Sequence, residues 1–185
     1  GGLAVALALQ DSLANLFAGV HILMERPVRV GDYIKIASGE EGFVSDIGWR
    51  TTRIRQLSNN IVIVPNNKLA QSTITNYTMP ESSMALLIPV GVSYASDPDL
   101  VEKVLLDEAG KAVGEVAGLL PDPAPVVKFM PGFGDYSLNF TLICQVADFT
   151  SQVGVQHELR KRIFKRFQAE GIEFAYPTRT VYIKQ

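Results

Sequence analysis

GGLAVALAL, residues 1–9, carries no polar side chain, and its reading sets the class of the whole chain. Nine helical residues rise about 14 Å, half of a hydrocarbon core of about 30 Å. No basic segment precedes the run, so it does not read as a signal peptide. It reads as the end of a membrane-spanning helix; the alternative is a buried helix of a soluble protein. At about 100° per residue, Gly2 and Ala6 share one face and Ala4 and Ala8 another. Leu3 and Leu7 lie between those two small flanks, and Val5 and Leu9 lie roughly opposite the leucines. Small residues let helices approach closely, and two such flanks on one helix let the contact repeat into a ring. The leucines then face the ring axis as a hydrophobic constriction, of the kind that gates by dewetting. A small-residue helix in a single bundle explains the flanks as well, but not the leucine face between them.

Moving outward, residues 1–24 contain one charge, Asp11. From Ser12 onward Leu13, Leu16, Phe17, Val20 and Met24 recur at helical spacing, with Ser12, Asn15 and Gly19 off that face. Asp11 stands where an N-cap would open a second helix, so a break is expected near Gln10-Asp11. Pro27 ends that helix at about Glu25-Arg26.

Residues 28–79 change character. Short β-rich runs at 33–37, 42–49, 50–57, 61–65 and 72–78 are separated by SGEE, SNN and NN turn signals, which predicts a small all-β barrel of the SH3 or Sm type. PESSM at 80–84 reads as a linker. Beyond it, ALLIPVGVS (85–93) reads as a strand, and Asp97-Pro98 opens a helix with Val101, Val104, Leu105, Ala109, Ala112 and Val116 on one face. APVVKFM (124–130) and YSLNFTLICQV (136–146) read as strands across a Pro131–Asp135 turn. Residues 151–170 read as a helix with Leu159, Ile163, Phe164 and Phe167 inward, and TVYIK (180–184) as a last strand. That order is β-α-β-β-α-β, the α+β ferredoxin-like arrangement. The expected domains are therefore a pore-helix end with an amphipathic helix (1–27), the β domain (28–79), the ferredoxin-like domain (80–178) and a carboxy-terminal strand (179–185).

Composition narrows the function classes. Of 185 residues 47% are apolar and only 19% charged, the net charge is −2, and mean hydropathy is +0.15. Such a balance argues against nucleic-acid binding by bulk charge. One cysteine and two histidines leave no disulfide framework and argue against a cysteine- or histidine-based metal centre. Gly132-Phe133-Gly134 lacks the third glycine and the strand-to-helix setting of a dinucleotide loop and reads as a hairpin turn. Cys144 lies in an apolar strand as a buried thiol, His157 reads as a surface residue, and no constellation supports an enzyme. Arg160, Lys161, Arg162, Lys165 and Arg166 form a basic cluster. It is either a solvated face with a Glu158–Arg162 pair or a positive wall for anions, headgroups or RNA. Gly1-Gly2 opens the sequence without methionine, so the chain reads as a piece of something longer.

GLAVALALQDSLANLFAGV (2–20) resembles the pore-lining helix of the small-conductance mechanosensitive channel (MscS) family, and RPVRVGDYI (26–34), IVIVPN (61–66) and GIEFAYP (171–177) resemble further signatures of it. The resemblance covers essentially the whole chain. It implies a homoheptamer in a bacterial inner membrane, or in an organelle membrane derived from one, with residues from about 28 onward forming a hollow cytoplasmic vestibule with side portals. By the resemblance Leu3 and Leu7 fall on the two pore-constricting leucines, Gln10 on the glutamine at the helix kink, and Gly19 on a second flexible glycine. Asp11 stands in place of the kink glycine, and Ala6 in place of a small glycine on the packing face. The implied partners are further copies of the chain and membrane lipid, without nucleic acid or cofactor. The implied function is tension-gated release of ions and osmolytes. The contrasting expectation is a soluble, ring-forming Sm-like module that binds RNA.

Overall fold

The computed structural model describes residues 2–179, which fall into two compact units, one ending at Ser82 and the other beginning at Ser83. The first unit opens with helix α1, Gly2–Glu25, which runs without interruption for 24 residues. At 1.5 Å per residue that is about 36 Å. The break expected near Gln10-Asp11 is absent. Gln10, Asp11 and Ser12 each cost a helix only a few tenths of a kcal/mol, and neither proline nor glycine interrupts the backbone bonds there. Asp11 is thus an interior helical residue rather than an N-cap, and its carbonyl accepts a bond from Asn15 Nδ2 at 2.8 Å. The helix does stop before Pro27. Arg26 takes a left-handed conformation (φ 54°) and its N–H closes the last turn on the Ile22 carbonyl at 2.9 Å.

Strands β1 (Tyr33–Ile36), β2 (Glu41–Ile47), β3 (Thr51–Arg55), β4 (Ile61–Pro65) and β5 (Ile74–Asn76) form an antiparallel sheet in the order β4-β3-β2-β1-β5. All five fall within the β-rich runs of the sequence or within one residue of them. The pairing of β2 with β3 shifts between Val44 and Asp46. This unit's core collects Ile22 from α1 with Val28, Ile34, Ile36, Val44, Ile54, Val64 and Leu69. Burying each such side chain contributes about 1.5–3 kcal/mol. A short helix the strand reading did not anticipate, α2 (Asn66–Gln71), follows β4 directly and brings Leu69 into that core.

In the second unit β6 (Met84–Val92), β8 (Val126–Phe133) and β9 (Leu138–Val146) are antiparallel, with β9 between the other two. A two-residue strand, β7 (Leu119–Leu120), also pairs with β9, against Val146 and Gln145. Helix α3 (Pro98–Ala112) follows β6, and α4 (Ser151–Glu170) follows β9. A bridge between Val92 and Phe174 sets the residues after α4 beside β6. This is the ferredoxin-like order. Asp97 caps α3 by accepting the Asp99 N–H at 3.0 Å, with Pro98 in the first turn. The apolar face read for α3 is buried in full, Val116 included. On α4, Leu159, Ile163 and Phe167 are buried as expected, but Phe164 is half-exposed and stacks on Phe174, ring centroids 5.5 Å apart. The turn expected at Pro131–Asp135 also moves. β8 continues to Phe133 through a register shift between Lys128 and Gly132, and the chain reverses where Gly134 N–H donates to the Ser137 carbonyl at 2.8 Å. The strand expected at 180–184, and with it most of the domain expected at 179–185, lies outside the described residues.

Candidate functional site

Helix α1 has two unlike faces, and the one it packs with is not the apolar one. Asn15 and Gly19 are buried, Ala18 is half-buried and Ile22 is buried, a stripe at i, i+3, i+4 and i+7 that lies against the rest of its own unit. Leu13, Leu16, Phe17, Val20, Leu23 and Met24 stay exposed. Residues Leu7–Glu25 have the length and composition of a membrane span, with only 17% of that stretch buried. An apolar helix that keeps its greasy side uncovered and its small and polar side packed is suited to lipid or to further apolar helices, not to water.

The seat is built from hydrogen bonds. Asn66, at the start of α2, is fully buried. Its N–H donates to the Arg50 carbonyl at 2.9 Å, its Nδ2 to the Gly48 carbonyl at 2.8 Å, and its Oδ1 accepts from Thr52 Oγ1 at 2.9 Å. Those bonds hold the β2–β3 turn and α2 as one surface. Asn15 reaches that surface from α1, its Oδ1 accepting the Asn67 N–H at 3.0 Å. A first-turn N–H of a helix has no partner within the helix, so Asn15 acts as a cap for α2 supplied by another helix. Gly19 lies where a Cβ would stand 2.6 Å from Asn66 Nδ2 and 3.0 Å from the Trp49 carbonyl. The backbone of α1 therefore touches the turn there with no side chain between them. The sequence reading placed Asn15 off the apolar face and Asn66 at the end of IVIVPN, and gave none of Asn15, Thr52, Asn66 and Asn67 a role. Asn66-Asn67 has the composition of a turn, and the one available signal was an asparagine in the middle of a largely apolar helix.

The structure places the other candidates as follows. Leu3 and Leu7, one turn apart on one face, are 76% and 63% exposed, and Val5 and Leu9 are exposed on the far side. Gly2, Ala4 and Ala8 are exposed as well, and a Cβ at Gly2 would meet nothing. Ala6 lies in the helix between them. Gln10 and Asp11 are exposed, above the packed stripe that begins at Asn15.

Two cations of the basic cluster on α4 form ion pairs with α3 and the turn after it. Arg162 meets Glu115 at 2.6 Å and Glu108 at 3.7 Å, and Arg166 meets Asp107 at 3.2 Å and Glu170 at 2.9 Å. Hydrogen bonding to Glu115 raises the Arg162 pKa, with the charges of Glu115, Glu108 and Glu158 adding to it. Glu158 pairs with Lys161 at 3.4 Å rather than with Arg162. Two of the five cations thus tie α4 to α3 and do not form a free positive wall. Cys144 is buried, and burial pushes its thiol up to about 11. His157 is exposed, with Nε2 3.6 Å from Glu158. Among the described residues no group of His, Cys, Asp or Glu could hold a metal ion.

Comparison with known proteins agrees with this geometry. Residues 11–79 match the family of the mechanosensitive ion channel β-domain, and residues 86–174 match that of the mechanosensitive ion channel MscS carboxy-terminal domain. The chain is 34% identical to the large-conductance mechanosensitive channel MscMJLR of Methanocaldococcus jannaschii, covering all of this chain and 51% of that protein. It is 35% identical to the small-conductance channel MscMJ of the same organism, covering all of this chain and 52% of that one. The closed-state crystal structure of Helicobacter pylori MscS superposes with a TM-score of 0.82 at 29% identity, over all of this chain and 70% of that one. The chain spans about half the length of the curated relatives it matches.

Proposed function

This chain belongs to the MscS family of mechanosensitive channels, and from that premise we propose that it supplies the pore-lining helix end and the cytoplasmic vestibule of a tension-gated, weakly selective channel that releases ions and osmolytes on hypoosmotic shock. The observation that carries the reading is the inverted packing of α1. Its small and polar stripe is spent on the seat formed by Asn66, Asn67 and Trp49, which leaves the apolar remainder for membrane and neighbouring copies. In this reading Leu3 and Leu7 face the axis of a homo-oligomer, a heptamer as in the family, and Gly2, Ala4, Ala6 and Ala8 form the flanks where copies of α1 meet. The second unit extends into the cytoplasm. The edge strand β4 exposes Ile61 and Ile63, an apolar edge of the kind that a second copy covers. Bending of α1 between states is assigned to Gln10 and Asp11, which lie above the seat. Gly19 is locked into the seat and bends only if the seat opens.

Tension favours the state of larger in-plane area, so the pore helices separate and the leucine rings widen until they hydrate. The closed throat resists ions because water leaves a narrow apolar passage. Replacing Leu7 with serine puts a hydroxyl from every copy into that passage and lowers the cost of wetting it. In the full-length protein Leu7→Ser is expected to open at lower membrane tension in patch-clamp recordings and to slow growth by leak. Val5→Ser, on the opposite face, is expected to leave the threshold unchanged. Equal leak from both variants, or lower expression without any leak from Leu7→Ser, removes the leucine face from the pore. No observation favours the RNA-binding alternative, since two cations of the basic cluster it needed are paired with acids of α3.

A further inference from the structure

Asp11 is the only Asp, Glu, Lys or Arg among residues 1–20. It lies inside Leu7–Glu25, the part of α1 with the length and composition of a membrane span. A carboxylate in such a segment is costly unless it is paired or hydrated, and ionisable groups there characteristically face a water-filled path. Among the described residues the Asp11 carboxylate makes no hydrogen bond or ion pair. One turn on, Asn15 donates its Nδ2 to the Asp11 carbonyl at 2.8 Å and accepts the Asn67 N–H at 3.0 Å, so both ends of that amide are engaged away from the carboxylate. The cations near the seat are engaged too, Arg50 over the Trp49 ring at 5.9 Å and Lys68 attracting the Glu40 carboxylate. His21 faces Glu25 at 3.1 Å. The charge of Asp11 is therefore left for water and for whatever passes it.

The helix sets where that charge stands. Because α1 runs without interruption through Gln10-Asp11, the spacing that aligns Leu3 with Leu7 carries on past them. Asp11 follows Leu7 by four residues, about 6 Å further along the helix and turned from it by about 40°. It is exposed, as both leucines are, and the packed stripe begins only at Asn15. With the leucines facing the axis of a ring, each copy sets one carboxylate at the edge of the lumen, one turn below the Leu7 constriction.

We propose that the Asp11 side chains of the assembled copies form a ring of carboxylates that makes the open pore prefer small cations to anions. The proposal rests on the reading of Leu3 and Leu7 as the pore constriction and gives that reading an ion preference. A ring of like charges at a narrow passage with low-dielectric walls concentrates ions of the opposite sign and repels those of its own, which is how charged rings set selectivity. Residues 2–10 above it carry no charge of either sign to offset the effect. A negative potential of about one kT at the mouth, the low end of what charged clefts reach, enriches cations and depletes anions about 2.7-fold each, a permeability ratio of about sevenfold. Such a preference fades with salt, because the screening length falls from about 10 Å at 0.1 M to about 3 Å at 1 M. A preference set by pore width would not fade in this way.

The test is the reversal potential of tension-activated current, recorded from the full-length protein in excised patches across a gradient of potassium chloride centred near 0.1 M. The parent is expected to favour potassium about sevenfold, Asp11→Asn to bring the ratio to about 1, and Asp11→Lys to invert it. Asp11→Glu keeps the charge and is expected to keep the preference. Glu25→Gln removes a carboxylate from the far end of the same helix and is expected to leave the ratio unchanged. Asp11→Cys gives a readout within one folded channel. A sulfonate-bearing methanethiosulfonate added to the open pore returns a negative charge and is expected to restore the cation preference, and an ammonium-bearing one to reverse it. Cys144 is buried and stays out of reach of both reagents. An unaltered ratio in Asp11→Asn and Asp11→Lys overturns the proposal. An equal change in Glu25→Gln also overturns it, since the preference would then come from surface charge in general. A parent that carries tension-activated current without cation preference breaks this proposal alone. A parent with no tension-activated current breaks the channel reading, and the proposal falls with it.

Discussion

Replacing Gly19 with alanine separates two accounts of that residue. If Gly19 serves as a flexible point in an exposed helix, alanine stabilises α1 by about 1 kcal/mol through helix propensity. The packing argues for the opposite sign. The new Cβ would stand 2.6 Å from Asn66 Nδ2 and 3.0 Å from the Trp49 carbonyl, and the second of these is backbone. Asn66 has nowhere to retreat, being fully buried and bonded to Arg50, Gly48 and Thr52. Overpacking of this kind costs about 1–3 kcal/mol, and stretching the bond from Asn66 to Gly48 adds about 1 kcal/mol or more. Set against the propensity gain, the net loss is about 2 kcal/mol. Trp49 is the only tryptophan in the chain and lies at the contact, so its fluorescence reports both the local shift and the unfolding of the unit. Gly19→Ala is expected to change the native emission of Trp49 and to lower the urea midpoint read from it. An unchanged emission with a midpoint equal to or above the parent's would refute the close-contact account and return Gly19 to the role of a hinge.

Asn15→Ala removes the acceptor for the Asn67 N–H and should cost about 1 kcal/mol in the same Trp49 melt, the typical price of a lost cap; Asn15→Asp, which keeps an acceptor at that point, should recover at least half of it. Burial raises the Cys144 thiol from 9.0 to about 11. Its contribution to stability is therefore full below about pH 9 and lost between about pH 9 and 11, as the unfolded chain releases the proton first. The parent should accordingly lose more urea stability than Cys144→Ala between pH 8 and 11, and native Cys144 should resist maleimide at pH 7 until the unit unfolds. Equal pH slopes for parent and variant would show that the thiol does not contribute.

The helices and long strands of the second unit were legible because they carry self-contained signals, whereas β7 and the end of β8 at Phe133 were not. The Asp97-Pro98 cap and the spacing of Val101, Val104, Leu105, Ala109 and Ala112 specify α3 and the face it buries, and β9 has few alternatives for so apolar a run. The misses lie where local preference was weak or a partner decided the outcome. Phe164 has the spacing of a core residue, but the position is half-open and the ring is held by Phe174, which is ten residues away. The basic cluster looked like a surface because its partners Asp107 and Glu108 lie on another helix and Glu115 in the turn that follows it. Tertiary charge pairing leaves no trace in the spacing of one helix.

Helix α1 shows the same limit more sharply. Periodicity identifies a face but not the medium that covers it. The leucine, phenylalanine and valine positions after Ser12 have the spacing of a core-facing stripe, and in a water-soluble protein they would be buried. Here the buried stripe is Asn15, Ala18, Gly19 and Ile22, because the surface that α1 meets offers a backbone N–H at Asn67 and a carbonyl at Trp49 rather than an apolar groove. A polar group inside an apolar environment is costly unless it is paired, so in a helix surrounded by lipid the asparagine must be the residue that finds a protein partner. The apolar side chains have no such need. Reading the helix for its few polar and small residues, and asking where each is satisfied, therefore locates the packed face correctly. Reading it for its apolar ones locates the face left for the membrane and for neighbouring copies. Asp11 fits the same rule. Its carboxylate is exposed above the seat, and a charge there is tolerable only where water reaches the helix, which in the proposed channel is the mouth of the pore below the leucine rings.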